Sequence, residues 1–128
     1  MNGHTIFVGA GTYYENVVVN KTISLIGENK YATIIDGRGM GTVINVIASY
    51  VNISRLKIQN SGEEPGIPGG IRLDNCVGNN INGNVLTNTF FAIYLVNSEQ
   101  IVVSNNIIFR NFEGIISTAS PIHIFPET

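Results

Sequence analysis

The sequence predicts an all-β fold, a single-stranded right-handed parallel β-helix of about five coils with about 22 residues in each. Isoleucine and valine contribute 20 and 12 of the 128 residues, and β-branched side chains favour pleated strands over helices. Charged residues make up only 12% of the chain, about half the usual share in globular proteins. Short apolar runs also recur at a fixed interval, which is the pattern of a repeat architecture.

Three isoleucines set that interval, because the step from Ile71 to Ile93 equals the step from Ile93 to Ile115. Each repeat holds three short runs, at 71–73, 79–81 and 85–87 and again at 93–95, 101–103 and 107–109. Such short runs bury their aliphatic side chains if each strand bonds to its counterpart one coil later, about 4.8 Å away. We therefore expect the three isoleucines to form a ladder that points into the core. A leucine-rich repeat has a similar period, but its dense leucine framework is missing.

Asparagine marks the bends between the runs. Asn60, Asn88 and Asn111 end successive repeats, and the gap between the first two is the longer one because it contains the insertion 61–70. Asparagine tolerates the left-handed backbone of tight bends better than other non-glycine residues. Stacked asparagine side chains can also hydrogen-bond to one another. We therefore expect these asparagines to stack along one edge of the coil.

Residues 1–128 are predicted to form one β-helix domain. The run TIFV at 5–8 is interpreted as the end of a truncated coil, and Tyr13 and Tyr14 are placed in a loop with one ring turned inward. The runs within 17–36 supply the first full coil. The chain is therefore predicted to be a fragment of a longer repeat protein, and its open N-terminal end offers strand edges for self-association.

Charge and composition exclude several classes of function. The net charge is −2 and the seven Lys and Arg residues are scattered, so no basic surface for nucleic acid is expected. Every apolar run is far shorter than a membrane-spanning helix requires, and membrane insertion is not expected. The single cysteine, Cys76, excludes an internal disulfide and is interpreted as a small core residue.

These repeats resemble the parallel β-helix (PbH1) repeats of the pectin-lyase-like superfamily. The opening TIFVGAGTYYENVVVNKTISLIGENKYATIIDGRG, residues 5–39, is similar to the first coils of carbohydrate-binding and sugar-hydrolase (CASH) domains. Such domains occur in cell-surface proteins and in NosD-type periplasmic accessory proteins. The resemblance implies an extracellular, cell-surface or periplasmic location, whereas it does not imply one activity because the fold hosts many.

The residues that perform catalysis in related enzymes are not found at the matching positions. Polygalacturonases place an Asp pair before the strand that corresponds to Ile71, with a His-Gly and an Arg-x-Lys beyond it. The equivalent segments here read IPGG, TFFA and NFEG. Glycoside hydrolysis ordinarily needs two carboxylates across the scissile bond. No catalytic residue and no cofactor is therefore predicted.

A metal site is not predicted either. Copper favours clustered Cys, Met and His ligands, and the NosD resemblance makes copper the relevant ion. The possible ligands are dispersed over different coils, namely Met1, His4, Met40, Cys76 and His123. Their spacing does not correspond to a binding motif.

The most concrete candidate site lies on the outer surface of one strand ladder. If the isoleucines point inward, Arg72 and Asp74 point outward, and Tyr94 stacks beside Arg72 one coil later. The insertion that carries Glu63 and Glu64 overhangs the same patch. An exposed tyrosine beside an arginine and carboxylates can stack on a sugar and bond its hydroxyls. The alternative is that these are ordinary solvated residues and that Tyr94 only fills the ladder.

The sequence therefore predicts a non-catalytic module of a surface or exported protein, either binding polysaccharide or serving a structural role. Two alternatives stay open. The chain is a fragment of a polysaccharide-active lyase, hydrolase or esterase whose catalytic residues lie elsewhere, or it is a NosD-like periplasmic accessory protein.

Overall fold

The computed structural model describes residues 3–63 and 68–118, together with the backbone of strand 123–125. Within these ranges every regular element is a short β-strand, and no helix has the length and apolarity needed to cross a membrane. The strands are β1 (His4–Val8), β2 (Gly11–Tyr14), β3 (Val17–Val19), β4 (Ile23–Gly27), β5 (Thr33–Asp36), β6 (Ile44–Val46), β7 (Asn52–Ser54), β8 (Lys57–Gln59), β9 (Gly69–Asp74), β10 (Asn80–Asn82), β11 (Val85–Thr87), β12 (Phe91–Val96), β13 (Val102–Ser104), β14 (Ile107–Phe109), β15 (Glu113–Ser117) and β16 (His123–Phe125).

The strands form three parallel sheets that the chain visits in turn. Sheet A has the order β1-β4-β7-β10-β13-β16, sheet B the order β14-β11-β8-β5-β2, and sheet C the order β15-β12-β9-β6-β3. One passage through A, B and C makes one coil, so the described strands build five coils and begin a sixth. The predicted parallel β-helix is confirmed. We call the three bends in each coil the A–B, B–C and C–A corners.

The isoleucine ladder of sheet C has the register that the sequence predicts. Ile71 pairs with Ile93 and Ile93 with Ile115, so one repeat of the sequence corresponds to one coil. The ladder also extends backwards, because Ile44 pairs with Ile71 across a longer stretch of chain. The extra residues fall between β8 and β9.

The core lies inside the coil, between the inward faces of the three sheets. Ile44, Ile71 and Ile93 are fully buried, and each buried side chain of this size contributes about 1.5–3 kcal/mol to folding. Cys76 is a buried core residue as predicted. Burial raises the pKa of its thiol above the ordinary value, and the nearby charge of Asp74 adds to the effect of burial.

Left-handed residues form the corners, as predicted, but the predicted asparagine series is wrong in its last member. Asn60, Asn88 and Arg110 have φ angles of 62°, 54° and 60°, and the backbone N–H of each of the first two donates to the carbonyl of the next. Arg110, not Asn111, is therefore the ladder partner of Asn88. The Asn111 side chain instead accepts a hydrogen bond from the backbone N–H of Thr89.

A second asparagine ladder is buried at the A–B corner. Asn84 and Asn106 are almost fully buried. The Asn106 carboxamide oxygen accepts from the Asn84 backbone N–H at 2.9 Å, and the Asn84 oxygen accepts from the Leu56 N–H at 3.1 Å. The Asn84 amide also donates to the Ile53 carbonyl at 3.0 Å. These side chains satisfy the backbone groups that the bend would otherwise bury without a partner.

The first coil differs from the sequence prediction in one element. The segment GTYY is a strand, β2, rather than a loop, because its backbone pairs with β5. Tyr13 packs against the core, as expected for one of the two tyrosines, and its hydroxyl donates to the Gly9 carbonyl at 2.9 Å. Ile6 pairs with the buried Leu25 yet remains 47% exposed, because it lies at the end of the described stack.

Candidate functional site

The structure brings together three of the five residues predicted for the candidate site. Arg72 and Tyr94 are ladder partners on sheet C, and the guanidinium lies 5.6 Å from the centre of the Tyr94 ring. The Arg72 Nη2 and the Asp74 Oδ2 form an ion pair at 3.7 Å. Both side chains are about one-third exposed. The predicted outward direction and register of this patch are therefore correct.

The predicted exposure of Tyr94 is wrong, since only 7% of it is exposed. Arg72 covers the ring on one side, and the Phe91 ring lies 5.3 Å away, centre to centre. Ile116 follows Tyr94 in the ladder on the other side. Tyr94 therefore packs the base of the patch and does not offer a free face to a sugar.

Of the other two predicted residues, Glu63 is described and lies in a different place. Glu63 is exposed and lines a groove along the B–C corner. Glu64 lies outside the described residues.

This groove has a volume of about 580 Å³ and follows the stack from the second coil to the fifth. We call it the corner groove. Its lining consists of the B–C turns of successive coils, namely Arg38, Gly39, Asn60, Ser61, Glu63, Asn88, Thr89, Phe90, Arg110 and Phe112.

Two stacked aromatic rings form the apolar part of the corner groove. The rings of Phe90 and Phe112 are nearly parallel, at 10°, with centres 4.8 Å apart. Phe112 is 71% exposed. Exposed aromatic faces beside hydrogen-bonding groups suit ligands that have both apolar and hydroxylated surfaces, as sugars do.

The polar part of the groove is held by hydrogen bonds beneath it. The Asp36 carboxylate is 6% exposed and accepts bonds of 2.8 Å from the Arg38 backbone N–H, the Gln59 amide and the Asn60 amide. Asn88 donates in turn to the Asn60 side chain. Because these bonds fix the side chains before a ligand arrives, binding would lose little conformational entropy.

Two arginines stand in the groove, one in the second coil and one in the fifth. The Arg38 guanidinium lies 4.7 Å from the centre of the Tyr14 ring, and that of Arg110 lies 5.9 Å from the Phe109 ring. Stacking on a ring uses the face of a guanidinium and leaves its N–H edges for acceptors.

A chain of aromatic contacts joins the corner groove to the Arg72 patch. Phe91 contacts Phe90 edge to face, with centres 4.7 Å apart, and lies 5.3 Å from Tyr94. The groove and the patch are therefore neighbouring parts of one surface.

Sequence reasoning missed Phe90 and Phe112, although a signal was available. The two residues are separated by the same interval as the isoleucines of the ladder, and they fall in the segments TFFA and NFEG. The prediction for those segments concerned catalytic acids and not aromatic rings. A recurring aromatic at the repeat period directly after a bend predicts a stacked pair on the outside of the corner.

The coil of three parallel sheets places the protein in the class of pectin-lyase-like right-handed parallel β-helices. The family model described as "Periplasmic copper-binding protein (NosD)" matches residues 1–125, and the chain belongs to this family. No curated protein matches the sequence significantly.

Comparison with solved structures supports the class. A pectin methylesterase from Yersinia enterocolitica superposes with a TM-score of 0.72 at 18% sequence identity, over 99% of this chain and 52% of that one. The chain thus spans about half the length of that enzyme. At this identity the likeness shows the fold alone.

The family description raises the question of copper, and the described side chains do not fit it. Among them no three His, Cys, Asp or Glu residues lie close enough to hold a metal ion. Cys76 is buried and Met40 is 66% exposed on another coil. His4 and His123 lie on the first and last strands of sheet A, five strand spacings or about 24 Å apart.

Proposed function

We propose that this NosD-family chain is a non-catalytic β-helix module that binds a glycan chain in the corner groove. The observation that carries the proposal is the stacked pair of Phe90 and Phe112 beside the asparagine ladder of Asn60 and Asn88. The family description, a periplasmic protein, supports a location in the periplasm or outside the cell.

The dimensions of the groove support an extended ligand. It runs along the stack across the turns of four coils, and successive coils are about 4.8 Å apart. Equivalent amide groups of Asn60 and Asn88 therefore recur along its length. A linear polysaccharide also presents hydroxyls at regular intervals, so several of its units can make similar contacts.

The acids in and beneath the groove support binding rather than hydrolysis. Glu63 is exposed at the rim, whereas the Asp36 carboxylate below is enclosed by three hydrogen-bond donors. A retaining or inverting glycosidase needs two carboxyl groups that both reach the scissile bond. The three hydrogen bonds keep the Asp36 carboxylate from reaching a scissile bond in the groove.

The test is a binding assay on an array of plant, algal and bacterial polysaccharides, followed by titration of the best oligosaccharide. Phe112→Ala should weaken binding about tenfold, or ~1.4 kcal/mol, because it removes the exposed ring. The unfolding free energy should change by less than about 0.5 kcal/mol, as is usual for an exposed side chain.

Tyr31→Ala is the matched control, because Tyr31 is 62% exposed but lies in the turn between β4 and β5 at the A–B corner. This variant should bind like the wild type. If the wild type binds no glycan, or if Tyr31→Ala loses binding while Phe112→Ala keeps it, the proposal is wrong.

The Arg72 patch is proposed as a secondary contact for the same ligand. Arg72 and Asp74 are partly exposed and are connected to the groove through Phe91. Arg72→Ala should weaken binding of long oligosaccharides by about threefold, which is the size of a single partly exposed polar contact. Short oligosaccharides that fill only the groove should bind this variant unchanged.

A further inference from the structure

We propose that the corner groove selects acidic glycans, with a carboxylate or sulfate of the ligand bound by Arg110. This inference rests on the proposed function, because it names the class of glycan that the same groove takes. Four observations lead to it: the backbone position of Arg110, the contacts of its guanidinium, the distribution of charge in the groove, and the spacing of the two arginines along the groove.

Arg110 occupies a position that does not require an arginine. It continues the ladder of Asn60 and Asn88, and all three have left-handed backbone. Asparagine adopts this conformation more readily than arginine. The corner itself is therefore served better by a third asparagine, and its left-handed backbone does not call for a guanidinium.

The guanidinium is available for a ligand. In the described part of the chain, no carboxylate lies within ion-pair distance of Arg110. The ion pair that the described residues form joins Arg72 and Asp74 on sheet C. The Phe109 ring lies 5.9 Å from the Arg110 guanidinium, and a contact with a ring face does not use the N–H donors of a guanidinium. Those donors match a carboxylate or sulfate by two parallel hydrogen bonds.

Charge is unequal along the groove. At the end formed by the second and third coils, the cation Arg38 and the carboxylate Glu63 both line the groove. At the end formed by the fourth and fifth coils, Arg110 is the charged residue of the described lining. The end with Arg38 and Glu63 therefore carries one charge of each sign, whereas the end with Arg110 carries a positive charge. An anionic group of the ligand binds at the Arg110 end.

The spacing defines how the ligand lies. Arg38 follows β5 and Arg110 follows β14, three strand spacings apart in sheet B, or about 14 Å. When one acidic sugar unit of the ligand binds Arg110, the next units of the same chain lie beside Asn88, Asn60 and Glu63. The two amides and the carboxylate can bond to the hydroxyls of those units. The groove fits a linear acidic oligosaccharide of several units rather than a single acidic sugar.

The experiment uses matched pairs of polymers. Galacturonan, mannuronan, guluronan and hyaluronan are each compared with their carboxyl-reduced counterparts by titration of size-defined oligomers at constant ionic strength. The wild type should bind at least one acidic oligomer about tenfold more tightly than its reduced form. This preference should decrease as salt increases, because exposed charges are screened.

Arg110→Asn is the decisive variant, because it removes the charge and places the residue best suited to left-handed backbone in the ladder. It should fold as stably as the wild type and bind acidic and reduced oligomers equally. Lys21→Gln, which removes an exposed cation in the turn between β3 and β4, is the control and should keep the preference.

The outcomes separate the two proposals. Equal binding of acidic and reduced oligomers by the wild type, or a preference that survives in Arg110→Asn, overturns the selection of acidic glycans and leaves glycan binding standing. If no oligomer of either kind binds, the proposed function itself fails.

Discussion

The A–B and B–C corners solve the same geometric problem and differ in what they leave outside. Both place a left-handed residue at the bend, Asn105 at one and Asn88 at the other. At the A–B corner the next side chain, Asn106, turns inward and its oxygen binds the backbone of the neighbouring coil. At the B–C corner the turns are longer and carry Phe90 and Phe112 outside, where they stack on one another.

The difference shows how a repeat protein separates stability from function. A buried asparagine such as Asn84 bonds to the backbone and to the next asparagine of its own ladder, so the fold depends on it. An aromatic ring on the outside of a bend has one face free and contributes little to folding. We therefore expect substitutions at the A–B corner to change stability and substitutions at the B–C corner to change binding.

The largest effect is expected at Asn84. Asn84→Ala removes the acceptor of the Leu56 N–H and the donor to the Ile53 carbonyl, both in the buried interior. Leaving such groups without partners costs about 2–4 kcal/mol in total. Urea denaturation followed by circular dichroism should show this loss.

Asn88→Ala provides the comparison at the other corner. The Asn88 side chain is exposed and bonds to Asn60. The substitution should lower the unfolding free energy by about 1 kcal/mol, because alanine is strained in left-handed backbone. Equal losses of unfolding free energy in Asn84→Ala and Asn88→Ala would contradict the distinction between the two corners.

A glycine at the C–A corner gives a smaller and sharper test of corner packing. Gly78 at the C–A corner and Gly83 at the A–B corner have nearly equal φ angles of 75° and 73°, so alanine is strained equally at both. A Cβ at Gly78 would lie 2.5 Å from the Tyr50 ring, whereas at Gly83 it meets open space. Gly78→Ala should therefore be less stable than Gly83→Ala, by about 1–2 kcal/mol.

Tyr50→Ala identifies the cause of that difference. In a Tyr50→Ala background the two glycine variants should have nearly the same midpoint of thermal unfolding, because the ring has been removed. A difference that persists would assign the effect to the backbone of the corner instead.

The smallest effect concerns Cys76 and alkaline pH. Burial raises the pKa of the thiol in the folded chain, so above the pKa of the unfolded thiol only the unfolded state loses the proton. The unfolding free energy should therefore decrease as the pH rises through this window and level off above the folded pKa. The comparison is with Cys76→Ala, whose stability should lack this component of the pH dependence.

Much of the fold could be predicted because a coil repeats its inward residues. The interval between Ile71, Ile93 and Ile115 fixes the register of sheet C, and one register fixes which side chains face outward. Arg72 and Tyr94 therefore lie where the sequence places them. The repeat did not predict the last bend correctly. Asn111 has the residue type expected there, but Arg110 occupies the ladder position after Asn88.

The candidate site could be predicted only in part, because exposure depends on neighbours that a ladder does not specify. Tyr94 points outward as predicted, but Phe91 and Arg72 bury it. The groove arises where turns of different lengths lie side by side, and the conformation of each turn depends on contacts with the next. Asn16, for example, holds the turn after β5 by donating to two of its carbonyls.

The central claim is that the outside of the B–C corner is the binding surface. The most direct measurement is a ¹⁵N-labelled NMR titration with the oligosaccharide that binds best on the array. The largest amide shift changes should fall at Arg38, Ser61, Phe90, Arg110 and Phe112. Changes concentrated instead at the A–B corner, around Tyr31, Arg55 and Gly83, would contradict the claim.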